Sequence, residues 1–327
     1  MDKKFWTLRQ KAATVFLLSG LLAFSGCSVK NMALNMVGNA LTGEGGGDVF
    51  LSDNDPELVG DALPFAIKMY ESLMEAIPSH AGLRLQTGSL YIMYANAYVQ
   101  APADRMPDEE FEKKEQWYRR ARNLYLRGRD MILVLLERKY PGFLSHLKNK
   151  RYSQALRPVT VEDLEALYWA SAGWIAAFSL DPFDMKFGIT LPQAEAMMKK
   201  VLNLDESFRD GAVHDFFILY YGSIPDYMGG SFAKAREHFQ KALAFAGEKS
   251  ASPYLSLAST VSVKEQNVRE FRELLARALQ INVDQYPSLR LQNVIYQRQA
   301  RWMLDHIEDY FVVVTEDDPI SPTGDNP

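Results

Sequence analysis

Four stretches of the chain contain no Asp, Glu, Lys or Arg: Leu85 to Ala103, Ala166 to Leu180, Phe216 to Pro225 and Ser250 to Val263. They mix small residues, such as Gly88, Ala95, Ala170 and Gly173, with aromatics, such as Tyr91, Tyr98, Trp169 and Tyr220. A helix that is uncharged all round must be buried or face an enclosed cavity. A fold for this chain must therefore wrap other elements around these four.

The wrapping segments are charged and amphipathic. Each carries a small or apolar residue, a bulky one four later, and a small or apolar one three beyond. The triplets are Ala66, Tyr70 and Leu73; Ala121, Tyr125 and Gly128; Ala194, Met198 and Val201; Ala235, Phe239 and Ala242; and Phe271, Leu275 and Ala278. That spacing keeps three side chains on one helical face. The last members lie 55, 73, 41 and 36 residues apart, an irregular period above that of a tetratricopeptide repeat. The expected fold is all-α: a degenerate tetratricopeptide-like helical-repeat array with insertions. In such a stack the first helix of each pair lines the concave surface. Buried tyrosine hydroxyls need partners, so a surface this rich in tyrosine suggests nearby water or ligand. The candidate lining residues are Tyr94, Tyr98, Tyr168, Trp169, Trp174, Phe217, Tyr220, Tyr221 and Tyr227. Plain core packing of the same aromatics is the competing reading.

The single cysteine, Cys27, follows Lys3, Lys4, Arg9 and Lys11, an uncharged run from Ala12 and the small pair Ser25 and Gly26. The run is too short to span a hydrocarbon core, which takes about 20 helical residues. The pattern is that of a secretory signal and resembles a bacterial lipoprotein signal, with Phe24 where Leu is usual. On this reading Cys27 is acylated, palmitate among its chains, and holds the protein at a membrane. The expected divisions are a signal peptide at 1–26, an acylated cysteine and glycine-rich flexible tether at 27–54, a helical domain at 55–314 and a disordered acidic tail at 315–327. Loss of residues 1–26 takes the formal net charge from -5 to -8, which speaks against nucleic acid as a partner.

Catalytic and metal signatures are missing. His80, His146, His214, His238 and His306 show no metal-ligand spacing, and no nucleophile elbow, Walker or dinucleotide motif appears. No enzyme, cofactor or metal is expected; a hydrolase using acids near His214 is the weakest alternative.

The segment from Ile224 to Leu243, IPDYMGGSFAKAREHFQKAL, sets a turn at Gly229 and Gly230 before Ser231, which is placed to cap the next helix. It resembles the T component of tripartite ATP-independent periplasmic (TRAP) transporters, in which a Gly-Gly turn precedes an A-x-x-H-F-x-x-A-L helix. Asp53 to Phe65, the run from Leu90 to Val99, and Leu167 to Trp174 extend the likeness across Asp53 to Leu279. The family commonly has Asp where Ser231 stands; both are good caps. The resemblance implies a periplasmic lipoprotein that docks the solute-binding P component. It also implies a homotrimer with a pore through each protomer, able to hold or pass an apolar small molecule. Ser28, which is not acidic, favours the outer membrane for the anchor. The alternative function is a tetratricopeptide-like scaffold for envelope protein assembly.

Overall fold

The computed structural model describes residues 32–43 and 48–314. Among them the secondary structure is helical throughout, with no strand. The main helices are α1 (Pro56–Ala76), α2 (Ala81–Ala95), α3 (Phe111–Lys139), α4 (Leu164–Ser179), α5 (Leu191–Leu204), α6 (Phe208–Ser223), α7 (Phe232–Ala246), α8 (Ser252–Leu257), α9 (Val268–Gln280) and α10 (Arg290–Asp305). The signal peptide, Cys27 and the tail at 315–327 lie outside the described residues.

Each helix packs on the next in sequence, so the chain advances as antiparallel neighbours. The five triplets fall one each on α1, α3, α5, α7 and α9, and every member except Leu73 is buried. The uncharged stretches form α2, α4, α6 and α8, and α2 and α8 each continue into a π-helical turn, Asn96–Gln100 and Ala258–Ser262. Helix starts are fixed by local polar groups: the Leu58 amide donates to Asp55 at 3.0 Å, and the Glu270 amide donates to Asn267 at 3.1 Å. At α7 the Lys234 amide donates to Ser231 Oγ at 3.3 Å. Ser231→Ala is expected to lower stability by about 1 kcal/mol, measurable as a lower denaturant midpoint with unchanged slope.

The last helix returns to the first. Leu291 of α10 packs with Val59 and Leu63 of α1, Arg298 forms a two-pronged ion pair with Glu57, and Arg290 donates to the Ser52 carbonyl at 3.0 Å.

Residues 32–42, expected to be part of the tether, form a helix. Leu34 and Leu41 recur at helical spacing and pack with the α1–α2 core, the Leu41 carbonyl accepts from the Tyr70 hydroxyl at 3.2 Å, and Asn39 meets His80 at 3.0 Å. Two apolar contacts seven positions apart on one face suffice to dock a short helix; the glycine run that suggested a leash comes after it.

Candidate functional site

The nine aromatics proposed as lining separate into groups. Tyr94, Tyr98, Tyr168 and Trp169 are half-buried. The rings of Tyr94 on α2 and Tyr98 on the π turn that follows stack at 5.8 Å; the Arg120 guanidinium lies 5.8 Å from the Tyr94 ring. The Tyr98 ring covers Gly60 of α1, and its hydroxyl is buried with no hydrogen-bond partner. On α4, Tyr168 and Trp169 meet edge-on at 5.4 Å.

Trp174, Phe217, Tyr220 and Tyr221 are core residues. The Trp174 indole donates to Thr190 Oγ1 at 2.9 Å under the Arg129 guanidinium. Phe217, Tyr221 and His238 pack ring against ring in a cluster of three, and Tyr220 stacks on Phe216. Tyr227 stands in solvent on the α6–α7 loop.

Around Tyr168 and Trp169 the structure gathers side chains from three further helices. The opening of α6 is left-handed, with φ of 50°, 54° and 85° at Arg209, Asp210 and Gly211. L-residues rarely adopt that conformation, and here it turns Arg209 back onto α4. Its guanidinium donates twice to Glu165, both at 2.9 Å, and lies 5.3 Å from the Trp169 ring. The Trp169 indole donates to the same carboxylate at 3.0 Å. One turn further along α6, Asp215 accepts from Ser252 Oγ of α8, while its Oδ1 is buried without a partner. Burial raises the Asp215 carboxyl above the usual range, against the Ser252 hydrogen bond. Tyr296 of α10 is pushed up to about 12, first by burial and then by the Asp215 charge. Tyr168 is likewise raised chiefly by burial, with Asp215 and Tyr296 adding to it. Both tyrosines nevertheless keep accessible surface.

After the π turn that ends α2, Asp104 forms a second half-buried acid. Burial pushes its carboxyl up to about 6 even though the Tyr118 hydroxyl donates to it at 3.0 Å. Its charge reaches Tyr125 and Tyr310 as well. Asp104 and Asp215 had a signature in the sequence: each is the first charge bordering an uncharged stretch. Tyr296 had none, since α10 is charged on either side of it.

Two other features stand apart. His214 of α6 is fully buried and its Nδ1 lies 2.9 Å from Nδ1 of His238 on α7, so at least one ring is neutral. A groove of about 650 Å³ runs between α7 and α9 over Phe239 and Leu274. Among the described residues no group of three or more His, Cys, Asp or Glu side chains could hold a metal ion, and no helix is long and apolar enough to cross a membrane.

A family model described as TRAP transporter T-component matches residues 52–311. The chain belongs to the TRAP transporter T-component family. The match begins just before α1 and ends after α10, so it covers the helical array together with the Tyr168, Asp215 and Tyr296 cluster. This T-component is also 34% identical over 312 residues to an uncharacterized protein of Treponema pallidum (strain Nichols), across 91% of this chain and 97% of the relative.

Proposed function

We propose that this T-component is a periplasmic, lipid-anchored accessory subunit that docks the solute-binding P component. Its tetratricopeptide-like array encloses a passage in which an apolar solute is held or handed on. The observation that carries the reading is a half-buried aromatic cluster, Tyr168 and Trp169 of α4 with Tyr296 of α10, gathered beside Asp215 of α6, whose Oδ1 is buried without a partner. Such a cluster fits an internal passage enclosed where α10 meets α1. Tyr94, Tyr98 and Trp169 share that half-buried state and belong to the proposed lining. Trp174, Phe217, Tyr220 and Tyr221 act behind it as packing. The assembly proposed is a homotrimer, with the anchor at Cys27 in the outer membrane.

Binding of a fluorescent apolar probe, N-phenylnaphthylamine, to the soluble form starting at residue 31 tests the passage. Trp169→Ala removes a ring that Arg209 and Tyr168 hold in place and is expected to weaken binding about tenfold, about 1.4 kcal/mol. No probe binding, an empty protein by native mass spectrometry, and solute uptake unchanged in Trp169→Ala would together favour the envelope scaffold.

A further inference from the structure

Asp215 is the only Asp, Glu, Lys or Arg between Asp210 and Asp226. Its carboxyl lies between α4, α8 and α10, alongside Ser252 and Ser256 of α8, Tyr168 of α4 and Tyr296 of α10. Both serines are buried. Ser252 Oγ donates to Oδ2, whereas Oδ1 is closed to solvent and has no partner. A carboxylate has lone pairs to spare on each oxygen, and those on Oδ1 go unused.

The charge is also unanswered. Among the described residues no Lys or Arg pairs with Asp215. Arg209, the guanidinium at this end of α6, is committed to Glu165 through two bonds of 2.9 Å, and Lys249 is committed to Asp210. His214, the preceding residue, turns the other way: its Nδ1 meets His238 of α7 and its Nε2 lies 3.4 Å from Glu206. Glu165 is held by Arg209 and by the Trp169 indole, so the acid left without a counter-charge is Asp215.

An ionised carboxyl removed from water without a counter-charge is costly, and a cation brought beside it offsets that cost. The attraction is stronger where water is excluded. The neighbouring rings suit the same charge. Tyr168 meets Trp169 edge-on and Phe208 at 5.6 Å, and aromatic faces attract cations; the Arg209 guanidinium already lies 5.9 Å from both the Tyr168 and Phe208 rings. Tyr168 and Tyr296 keep accessible surface, and their phenols stay protonated because burial and then the Asp215 charge raise them. A neutral phenol oxygen accepts from an ammonium N–H. A ligand therefore approaches over the two tyrosines, with the Asp215 charge acting through space. An anion meets the opposite: repulsion from Asp215, and an Arg209 that is already paired.

We propose that Asp215, with Tyr168 and Tyr296, forms a recognition point for the ammonium group of an apolar organic amine. The proposal rests on the internal-passage reading above and names the class of solute that the passage takes. Displacement of N-phenylnaphthylamine from the soluble form starting at residue 31, which keeps every described helix, tests it with octylamine, octanol and octanoate as competitors. Octylamine is expected to displace the probe at about tenfold lower concentration than octanol, with octanoate weaker than both. Asp215→Asn keeps the shape and an acceptor for Ser252, and is expected to bring octylamine to the level of octanol without moving octanol itself. Tyr296→Phe is expected to weaken octylamine about threefold and to leave octanol unchanged. The preference for the amine persists in about 0.3 M salt, which screens charge on the outer surface far more than charge inside the fold. A preference that salt abolishes is adsorption to the acidic exterior, and the proposal is then wrong. Equal displacement by all three competitors, displacement led by octanoate, or an amine preference that both variants retain would overturn the ammonium site and leave the passage standing. If wild type binds no probe, the passage reading fails and the site fails with it.

Discussion

Gly128→Ala is expected to lower the melting temperature by about 4–8 °C. A Cβ on Gly128 of α3 would lie 2.4 Å from the Gly88 carbonyl oxygen of α2 and 2.8 Å from Ile92 Cγ1. Facing it, a Cβ on Gly88 would lie 2.8 Å from the Gly128 carbonyl oxygen. The first obstacle is backbone, which cannot rotate aside as a side chain can, so α2 and α3 must separate. Helix propensity works the other way, since Ala in a helix interior is favoured over Gly by about 1 kcal/mol. Overpacking against a fixed carbonyl costs about 3 kcal/mol or more, so the clash wins. At about 2–4 °C per kcal/mol for a domain of this size, thermal unfolding reads the difference. An unchanged melting temperature would mean that the helices do not approach this closely. The contact also bears on the site. Gly173 of α4 packs on Ile92 as well, its Cβ position 2.8 Å from Ile92 Cδ1, so this junction sets the distance between Tyr94 on α2 and Tyr168 on α4.

Much of the fold could be read from the sequence because burial repeats at helical spacing. Phe271, Leu275 and Ala278 announce the inner face of α9, and the same offsets mark α3, α5 and α7. The uncharged stretches likewise gave α2, α4, α6 and α8. What failed to show was any relation between distant positions. Nothing in the sequence around Tyr296 indicates that α10 turns back to α1, and nothing local tells Gly88 that Gly128 faces it. The lining residues expose a second limit. On a helix uncharged all round, every face looks equally buried, so Phe217 and Trp169 carry the same signal although one is packed among rings and the other retains surface. Charge at the ends of those stretches was more informative than their interiors: Asp104 and Asp215 are both half-buried with carboxyls raised by desolvation, and both sit where the hydrophobic run stops. The helix at 32–42 was hidden for the opposite reason, since the neighbouring glycines dominated the composition of the whole segment.

Stability is expected to fall as pH drops from about 6.5 towards 4, and His238→Gln is expected to remove much of that fall. His238 is lowered to about 4, first by burial and then by the adjacent His214, while an unfolded chain titrates near the ordinary histidine value. Between those two values the unfolded state binds more protons than the folded one, so stability rises with pH through this window and is fully present above it. Because His238 is only half-buried, its contribution is discounted to roughly 2 kcal/mol. His214 is lowered as well, chiefly by burial, and protonating both rings would set two cations against each other across the 2.9 Å contact. The surrounding charges pull in both directions: Glu206 and Glu237 favour protonation, and Lys199 and Lys241 oppose it. Asp104 tilts the profile the opposite way, since a carboxyl raised to about 6 makes the folded state less favourable as pH rises from 3.8. The informative quantity is therefore the difference between wild type and His238→Gln in urea unfolding free energy across pH 4 to 7. Gln keeps an amide within reach of His214 without titrating, so a shallower acid limb would locate the effect in the pair. Parallel profiles would assign the acid sensitivity to the carboxylates that lose their ion pairs, with the histidines only packing α6 against α7.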